Sequence, residues 1–260
     1  MKAIYYGILN LVGFALVLTF NALANILPIN GYNTGQVSAF YPNYFVPAGF
    51  TFSIWGVIYL LLMGFVICSL LAALPSFPTQ ARKAIAKASP LFLLSCLLNA
   101  SWIVAWHYLQ IELSVVIMLL FLITLIQLFL KSTTMANALT STQKFILQTP
   151  FIVYLGWISV ATIANITALL IAYQWNGFGI APVYWSAAMI LIAIILAVLM
   201  VKKFQVVSFT LVVAWALWGI YNAQGPAAPI LASLTALGIG VLISTVLFTL
   251  IYKLRKNKMA

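Results

Sequence analysis

Long apolar stretches alternate with short polar segments along the whole chain of 260 residues. Each stretch holds about 20 residues, the length that an α-helix needs to cross the hydrocarbon core of a bilayer. Such stretches must be helical, because a backbone group left unpaired in lipid costs on the order of several kcal/mol. No segment alternates with the period of two that marks a transmembrane β-strand. The pattern predicts an all-α protein with eight transmembrane helices, at residues 4–26, 49–73, 90–108, 112–131, 145–173, 183–201, 204–222 and 228–252.

The basic residues occupy only alternate gaps between these stretches. They are Lys2, Arg82, Lys83, Lys87, Lys131, Lys144, Lys202, Lys203, Lys253, Arg255, Lys256 and Lys258. Because Lys and Arg are retained on the cytoplasmic side of a membrane, this alternation predicts that both termini are cytoplasmic. The uncharged outer loops are then residues 27–48, 109–111, 174–182 and 223–227.

Composition supports a membrane environment. The chain is 65% hydrophobic and only 5% charged, whereas soluble domains carry roughly 25% charged residues. Its net charge of +11 matches anionic lipid headgroups at the cytoplasmic face. We therefore expect the lipid bilayer as a partner, no nucleic acid, and a multi-pass protein of a bacterial plasma membrane.

The first apolar stretch also resembles a secretory signal, with Lys2 before it and an A-x-A site at residues 22–24. Signal cores are about 7–15 residues long, and the apolar run at residues 4–20 is longer. We therefore interpret it as the first membrane helix, with cleavage as the alternative.

Ionisable groups are scarce, which excludes most kinds of catalysis. Glu112 is the only acidic residue and His107 the only histidine. Catalysis by paired carboxylates and zinc or di-iron sites are thereby excluded. The chain also has no phosphate-binding Gly-Lys-Ser/Thr loop. We expect no metal and no required cofactor.

Both ionisable residues, His107 and Glu112, fall at the predicted outer turn. This favours a solvated or paired turn and leaves a gate at a cavity mouth as the alternative.

Aromatic residues are abundant, with eight Trp, 12 Tyr and 17 Phe. Those near the outer ends of predicted helices fit an interfacial aromatic belt: Trp106, Trp175 and Trp185. Three sets of interior residues each share one helical face: Trp55 with Tyr59, Asn99 with Trp102, and Trp157 with Ala161 and Asn165. The pattern alone leaves packing and a binding pocket both open for these sets.

Small residues recur every fourth position in the last predicted helix, at Ala236, Gly240 and Ser244. Such a stripe lets a second helix approach closely. We interpret it as internal packing, and a homodimer is the alternative.

Three segments resemble motifs of one membrane protein family. Residues 47–64 read PAGFTFSIWGVIYLLLMG, residues 98–102 read LNASW, and residues 154–165 read YLGWISVATIAN. They resemble the second, third and fifth helices of the tryptophan-rich sensory proteins, also called the translocator protein or peripheral-type benzodiazepine receptor family. The resemblance covers residues 4–176. It implies a five-helix translocator-like bundle at 1–176, followed at 177–260 by three additional helices and a basic cytoplasmic tail.

The resemblance also implies a function. Members of this family bind tetrapyrroles such as protoporphyrin and haem, and other flat hydrophobic molecules, in a bundle pocket that opens outward. Loop 27–48 would cover the pocket, with lid residues Tyr41, Tyr44, Phe45 and Pro47. The expected ligand-binding residues are Trp55, Tyr59, Asn99, Trp102, Trp157, Ala161 and Asn165. The tetrapyrrole would be a ligand of a binding and sensory protein, which favours a protein that is not an enzyme.

Three other functions stay open, one of which is a structural or assembly partner in the membrane. A facilitator-type transporter of a small hydrophobic molecule fits the three additional helices, and proton coupling is disfavoured because Glu112 is the only acid. Some members of the family are reported to assist light-dependent porphyrin breakdown, which leaves an enzymatic role open.

Overall fold

The structure, a computed structural model, describes residues 2–224 and 228–259. Within these residues it contains helices and no strands. The α-helices are α1 (Lys2–Asn25), α2 (Thr34–Ala39), α3 (Ile54–Leu71), α4 (Thr79–His107), α5 (Ile111–Thr133), α6 (Ser141–Leu147), α7 (Thr149–Ala172), α8 (Pro182–Phe204), α9 (Val207–Gln224) and α10 (Pro229–Met259). The all-α prediction is confirmed for this part of the chain.

Seven helical segments of the described chain are long and apolar enough to cross a membrane. They are Ala3–Gly31, Gly49–Leu71, Thr79–His107, Ile111–Thr133, Thr149–Ala172, Pro182–Phe204 and Pro229–Arg255. The protein is therefore an integral, multi-pass membrane protein. The predicted span at 204–222 corresponds to α9, an 18-residue helix that ends on polar residues and is not among the seven. At about 1.5 Å per residue, it is slightly shorter than a hydrocarbon core of about 30 Å.

Two predicted boundaries are wrong. Helix α4 begins at Thr79 rather than at residue 90, so Pro90 lies inside the helix. The basic segment is helical because its small and apolar residues, such as Ala81 and Ile85, are buried, which leaves the charges on the other face. The predicted span at 145–173 is divided into α6 and α7. The predicted outer loop at 223–227 lies largely outside the described residues.

The chain packs as two compact units. Unit one comprises the described residues up to Phe40 together with Trp55–Ile158. Unit two comprises Tyr41–Ile54 and the described residues from Ser159 onward. The boundary falls inside the loop predicted to be a lid and again inside α7. The predicted division at residue 176 stays a prediction.

In unit one, α1 packs closely against α3 and α4. A Cβ atom added at Gly7 would lie 2.8 Å from the Ser69 carbonyl oxygen, so this contact requires glycine. One turn further on, the Asn10 side chain donates hydrogen bonds to the Ser69 hydroxyl (3.1 Å) and the Ser89 hydroxyl (2.8 Å). A buried amide therefore connects three helices where lipid offers no hydrogen-bonding partner.

We expect Asn10→Leu to lower the free energy of unfolding by about 1 kcal/mol, since polar contacts between membrane helices contribute roughly 0.6–1.7 kcal/mol. Thermal unfolding in detergent measures this. In a double-mutant cycle, Ser89→Ala should add little once Asn10 is replaced. Additive effects would show that this hydrogen bond contributes nothing to the packing of α1 on α4.

In unit two, α8, α9 and α10 pack against one another. The Thr210 hydroxyl of α9 donates to the Ala197 carbonyl of α8 at 3.0 Å. Gly238 allows α10 to approach α8 and α9 closely. A Cβ atom at this position would lie 2.5 Å from Ile194 of α8 and 3.2 Å from Leu217 of α9. The predicted small-residue stripe is instead exposed at Ala236, Gly240 and Ser244. Its interpretation as internal packing is therefore wrong, since Gly238 lies on the opposite side of the same turns.

Candidate ligand-binding site

Four aromatic side chains of α3 and α7 pack together in unit one, and we call them the aromatic cluster: Trp55, Tyr59, Tyr154 and Trp157. The Trp55 ring stacks on the Tyr59 ring with centroids 5.6 Å apart and planes at 23°. It also meets Tyr154 at 5.8 Å and Trp157 at 6.2 Å, edge to face in both cases. Trp55 is thus the central ring of the cluster. It is half-buried, whereas Trp157 and Tyr154 are buried.

Two side-chain amides, the partly buried Asn21 and the buried Asn99, hold the cluster in place. The Asn21 side chain of α1 donates to the Asn99 side-chain oxygen (2.9 Å), and Asn99 donates to the Tyr154 hydroxyl (2.9 Å). Phe121 of α5 packs edge-on against Tyr154 at 5.2 Å. Residues of α1, α4 and α5 therefore fix the Tyr154 ring, which in turn supports Trp55.

The Tyr59 hydroxyl, unlike the Asn99 amide and the Tyr154 hydroxyl, is unpaired. Its oxygen is buried, and it has no hydrogen-bond partner among the residues that the structure describes. A buried polar group left unpaired costs about 1–3 kcal/mol. Such a group next to a half-buried indole face can be satisfied by a polar atom of a bound molecule.

A second aromatic pair lies at the end of α4 opposite its basic residues. Trp102 stacks on Trp106 at 5.7 Å with planes at 18°. Trp106 is 6% exposed, and its indole donates to the Thr34 carbonyl at 3.4 Å. Its assignment to an interfacial belt is therefore wrong, because α2 covers the ring.

His107 is also buried rather than solvated. Its Nδ1 lies 2.8 Å from the Ile103 carbonyl, which can only accept, so Nδ1 carries the proton. Nε2 then faces the Thr34 hydroxyl at 3.4 Å, and the Asn30 side chain donates to the His107 carbonyl at 3.1 Å. Of the favoured interpretation, a solvated or paired turn, the paired form describes His107, because the first half of loop 27–48 packs on it. Glu112 is exposed.

The predicted site residues fall into three groups. Unit one brings together Trp55, Tyr59, Asn99 and Trp157, whereas Trp102 pairs with Trp106. Ala161 and Asn165 follow Trp157 on α7 but belong to unit two, where Asn165 is 3% exposed. The predicted lid residues also belong to unit two: Tyr41, Tyr44, Phe45 and Pro47.

Sequence reasoning missed Asn21 and gave Tyr154 no role. Asn21 lies in the first apolar stretch, where an amide is costly in lipid and should face other helices. The same reasoning holds for Asn99 and Asn165, both of which are buried. The contact of Tyr154 with Asn99 had no such signal, since it joins residues 55 positions apart.

The chemistry of the cluster is stacking and hydrogen bonding. Its side chains are indoles and phenols, with the Asn99 amide beside them, and these groups transfer no protons readily near neutral pH. Within residues 2–224 and 228–259, no three His, Cys, Asp or Glu side chains lie together. The cluster can hold an apolar ring against an aromatic face and offer it one hydroxyl.

The fold and this cluster define an α-helical, multi-pass membrane protein with an aromatic candidate site. The chain belongs to the TSPO-like protein family, whose profile matches residues 7–248. The match extends beyond residue 176 and includes α8, α9 and most of α10, so the C-terminal helices are part of the family pattern. Comparisons with curated proteins and with solved structures found no match.

Proposed function

We propose that this protein binds flat hydrophobic ligands, and specifically tetrapyrroles such as protoporphyrin or haem, as a sensory protein of the membrane. Membership of the TSPO-like family implies a membrane binding protein of that type. The ligand would lie against the Trp55 ring in the aromatic cluster. Aromatic contacts of this kind contribute about 0.5–1.5 kcal/mol beyond the burial of area.

The observation that carries the proposal is the unpaired Tyr59 hydroxyl beside the half-buried Trp55 ring. The neighbouring Tyr154 hydroxyl already accepts from Asn99, so the two phenols are not equivalent. A ligand with a polar edge, such as the propionates of protoporphyrin, would satisfy Tyr59 while its ring contacts Trp55. The resemblance adds Ala161, whose small side chain would leave clearance for a flat ring along α7, and Asn165.

Loop 27–48 is the proposed lid. Its first half is ordered by a capping box, in which Asn33 and Gln36 exchange hydrogen bonds of 2.8 and 2.9 Å at the start of α2. Thr34 and Asn30 then attach this half to the end of α4. These contacts support a folded cover rather than a disordered loop.

We further propose that α9 crosses the membrane, which gives eight spans with cytoplasmic termini. Lys202 and Lys203 lie in the last turn of α8, and the Lys253 ammonium donates to the Gln205 carbonyl at 2.7 Å. The basic ends of α8 and α10 are therefore close together, which supports a path in which α9 runs to the other side of the membrane and α10 returns. Alkaline phosphatase, active only outside the cytoplasm, should be inactive when fused to the C-terminus, and activity there would contradict eight spans.

The function is tested by titrating the purified protein in detergent with protoporphyrin IX and following tryptophan quenching. We expect saturable binding. Tyr59→Phe should weaken it about fivefold, the equivalent of one hydrogen bond of about 1 kcal/mol. Tyr184→Phe is the matched control, because Tyr184 is exposed on α8 and should bind like the wild type.

A linear, unsaturated signal in wild type and variants alike would contradict the tetrapyrrole proposal. Facilitated transport would then be the function to test, by measuring the flux of hydrophobic solutes into liposomes.

A further inference from the structure

Unit two contains a cavity of about 270 Å³ between the C-terminal half of α7 and the start of α8. We call it the α7–α8 cavity. Its wall is completed by the loop that joins the two helices and by Asn43 and Phe45. The side chains that matter for its chemistry are Phe45, Thr167, Trp175, Trp185, Ser186 and Met189. All of them belong to unit two, whereas the aromatic cluster belongs to unit one.

The wall is aromatic and uncharged. Trp175 and Trp185 lie 5.1 Å apart with their planes at 55°, and Phe45 is 1% exposed. Among the described residues that line the cavity there is no Lys, Arg, Asp or Glu. Burying a charge without a partner is costly, so the cavity selects against ions, including a lipid phosphate.

The Trp185 ring is held in position before any ligand binds. Its indole nitrogen donates to the Gly177 carbonyl at 3.0 Å. Gly177 has a φ of +63°, and a Cβ atom there would lie 3.2 Å from the indole nitrogen, so the loop fits closely only with glycine. A ring fixed in this way presents its face to the cavity at little entropic cost.

Most polar groups in the wall are already engaged. Asn43 donates to the Tyr41 carbonyl (2.8 Å) and accepts from the Phe45 amide (2.9 Å). Asn176 accepts from the Phe178 amide at 3.0 Å. Ser186, 6% exposed, is the buried hydroxyl that remains to pair with a ligand. The cavity thus combines aromatic faces with a few hydrogen-bonding groups, the composition typical of small-molecule sites.

We infer that the α7–α8 cavity is a second binding site, for a neutral, flat, largely apolar molecule of two to four rings that carries one hydrogen-bonding group. Its volume lies just below the range of about 300–1,000 Å³ common for drug-sized ligands. Trp175, Trp185 and Phe45 contact the rings, and Ser186 pairs with the polar group. This site is independent of the proposed tetrapyrrole site.

The probe for this site is aminoanthracene, a neutral three-ring fluorescent amine, added to the full-length protein in phosphatidylcholine nanodiscs and excited directly. We expect saturable binding above the partitioning into protein-free nanodiscs. Thr167→Phe should weaken it at least tenfold by filling the cavity. Ser186→Ala, a smaller change, should weaken it about fivefold.

Thr245→Phe is the matched control. Thr167 and Thr245 each donate to the carbonyl four residues earlier, at 2.8 Å in both cases, and Thr245 lies on α10 away from the cavity. The control should bind like the wild type. Fluorescence that rises linearly with aminoanthracene, without saturation, would overturn the inference. It would mean that lipid acyl chains, present in large excess, occupy the cavity instead. Equal affinities in Thr167→Phe and wild type, or equal losses in the two threonine variants, would overturn it as well.

Discussion

Replacing Trp55 by alanine should weaken protoporphyrin binding by tenfold or more. Trp55 is the ring that contacts Tyr59, Tyr154 and Trp157 together. Its loss removes the stacking face and also the contact that fixes Tyr59. Stacking at about 0.5–1.5 kcal/mol, together with lost burial, amounts to roughly 2 kcal/mol, or about thirtyfold in affinity. The affinity is measured by titrating the variant with protoporphyrin IX and following the quenching of its remaining tryptophans.

Trp218→Ala is the control for this experiment. Trp218 is 46% exposed on α9 and packs on Phe50 in unit two, at 4.9 Å. The Trp218→Ala substitution removes an indole of the same size and leaves the aromatic cluster unchanged, so we expect the affinity for protoporphyrin IX to stay the same. Trp157→Phe should have an intermediate effect, since an edge-to-face partner of Trp55 is retained. If Trp55→Ala bound as tightly as the wild type, the ligand would not lie in the cluster.

Gly219→Ala should strongly destabilise unit two. A Cβ atom on Gly219 would overlap the side chains of Thr51 and Pro47. The same close approach lets the Gly219 carbonyl accept from the Ala48 amide at 3.0 Å and the Trp215 indole donate to the Thr51 carbonyl at 2.9 Å. Relieving the overlap would separate α9 from residues 47–51 and weaken both hydrogen bonds.

Overpacking costs about 1–3 kcal/mol, and each weakened hydrogen bond about 1 kcal/mol, so we expect a loss of roughly 3 kcal/mol. The apparent melting temperature in detergent should fall by about 5–10 °C. Gly240→Ala is the control, because nothing lies within 4 Å of a Cβ atom there. It should melt at the wild-type temperature or slightly above it, since alanine favours a helix. Equal melting temperatures for the two variants would show that α9 does not depend on this close approach.

The candidate site could be predicted in part from single helices. Trp55 and Tyr59 share a face because they are four residues apart, and the structure stacks them. An amide is costly in lipid, which predicts that Asn99 faces the bundle, and it is 0% exposed. The interfacial belt does not account for Trp106, and solvation does not account for His107, because hydropathy gives no sign that α2 would fold over the end of α4.

The sequence by itself determined the membrane environment and the all-α class. A bilayer requires apolar helices about 20 residues long, and that constraint can be read directly from the chain. The tertiary structure alone decided which helix faces meet. Lipid tails are as apolar as leucine, so hydrophobicity does not distinguish a lipid-facing surface from a packed one. Asn10 against Ser69 and Ser89, Gly219 against Thr51, and the α7–α8 cavity all depend on contacts between distant segments, which no local pattern encodes.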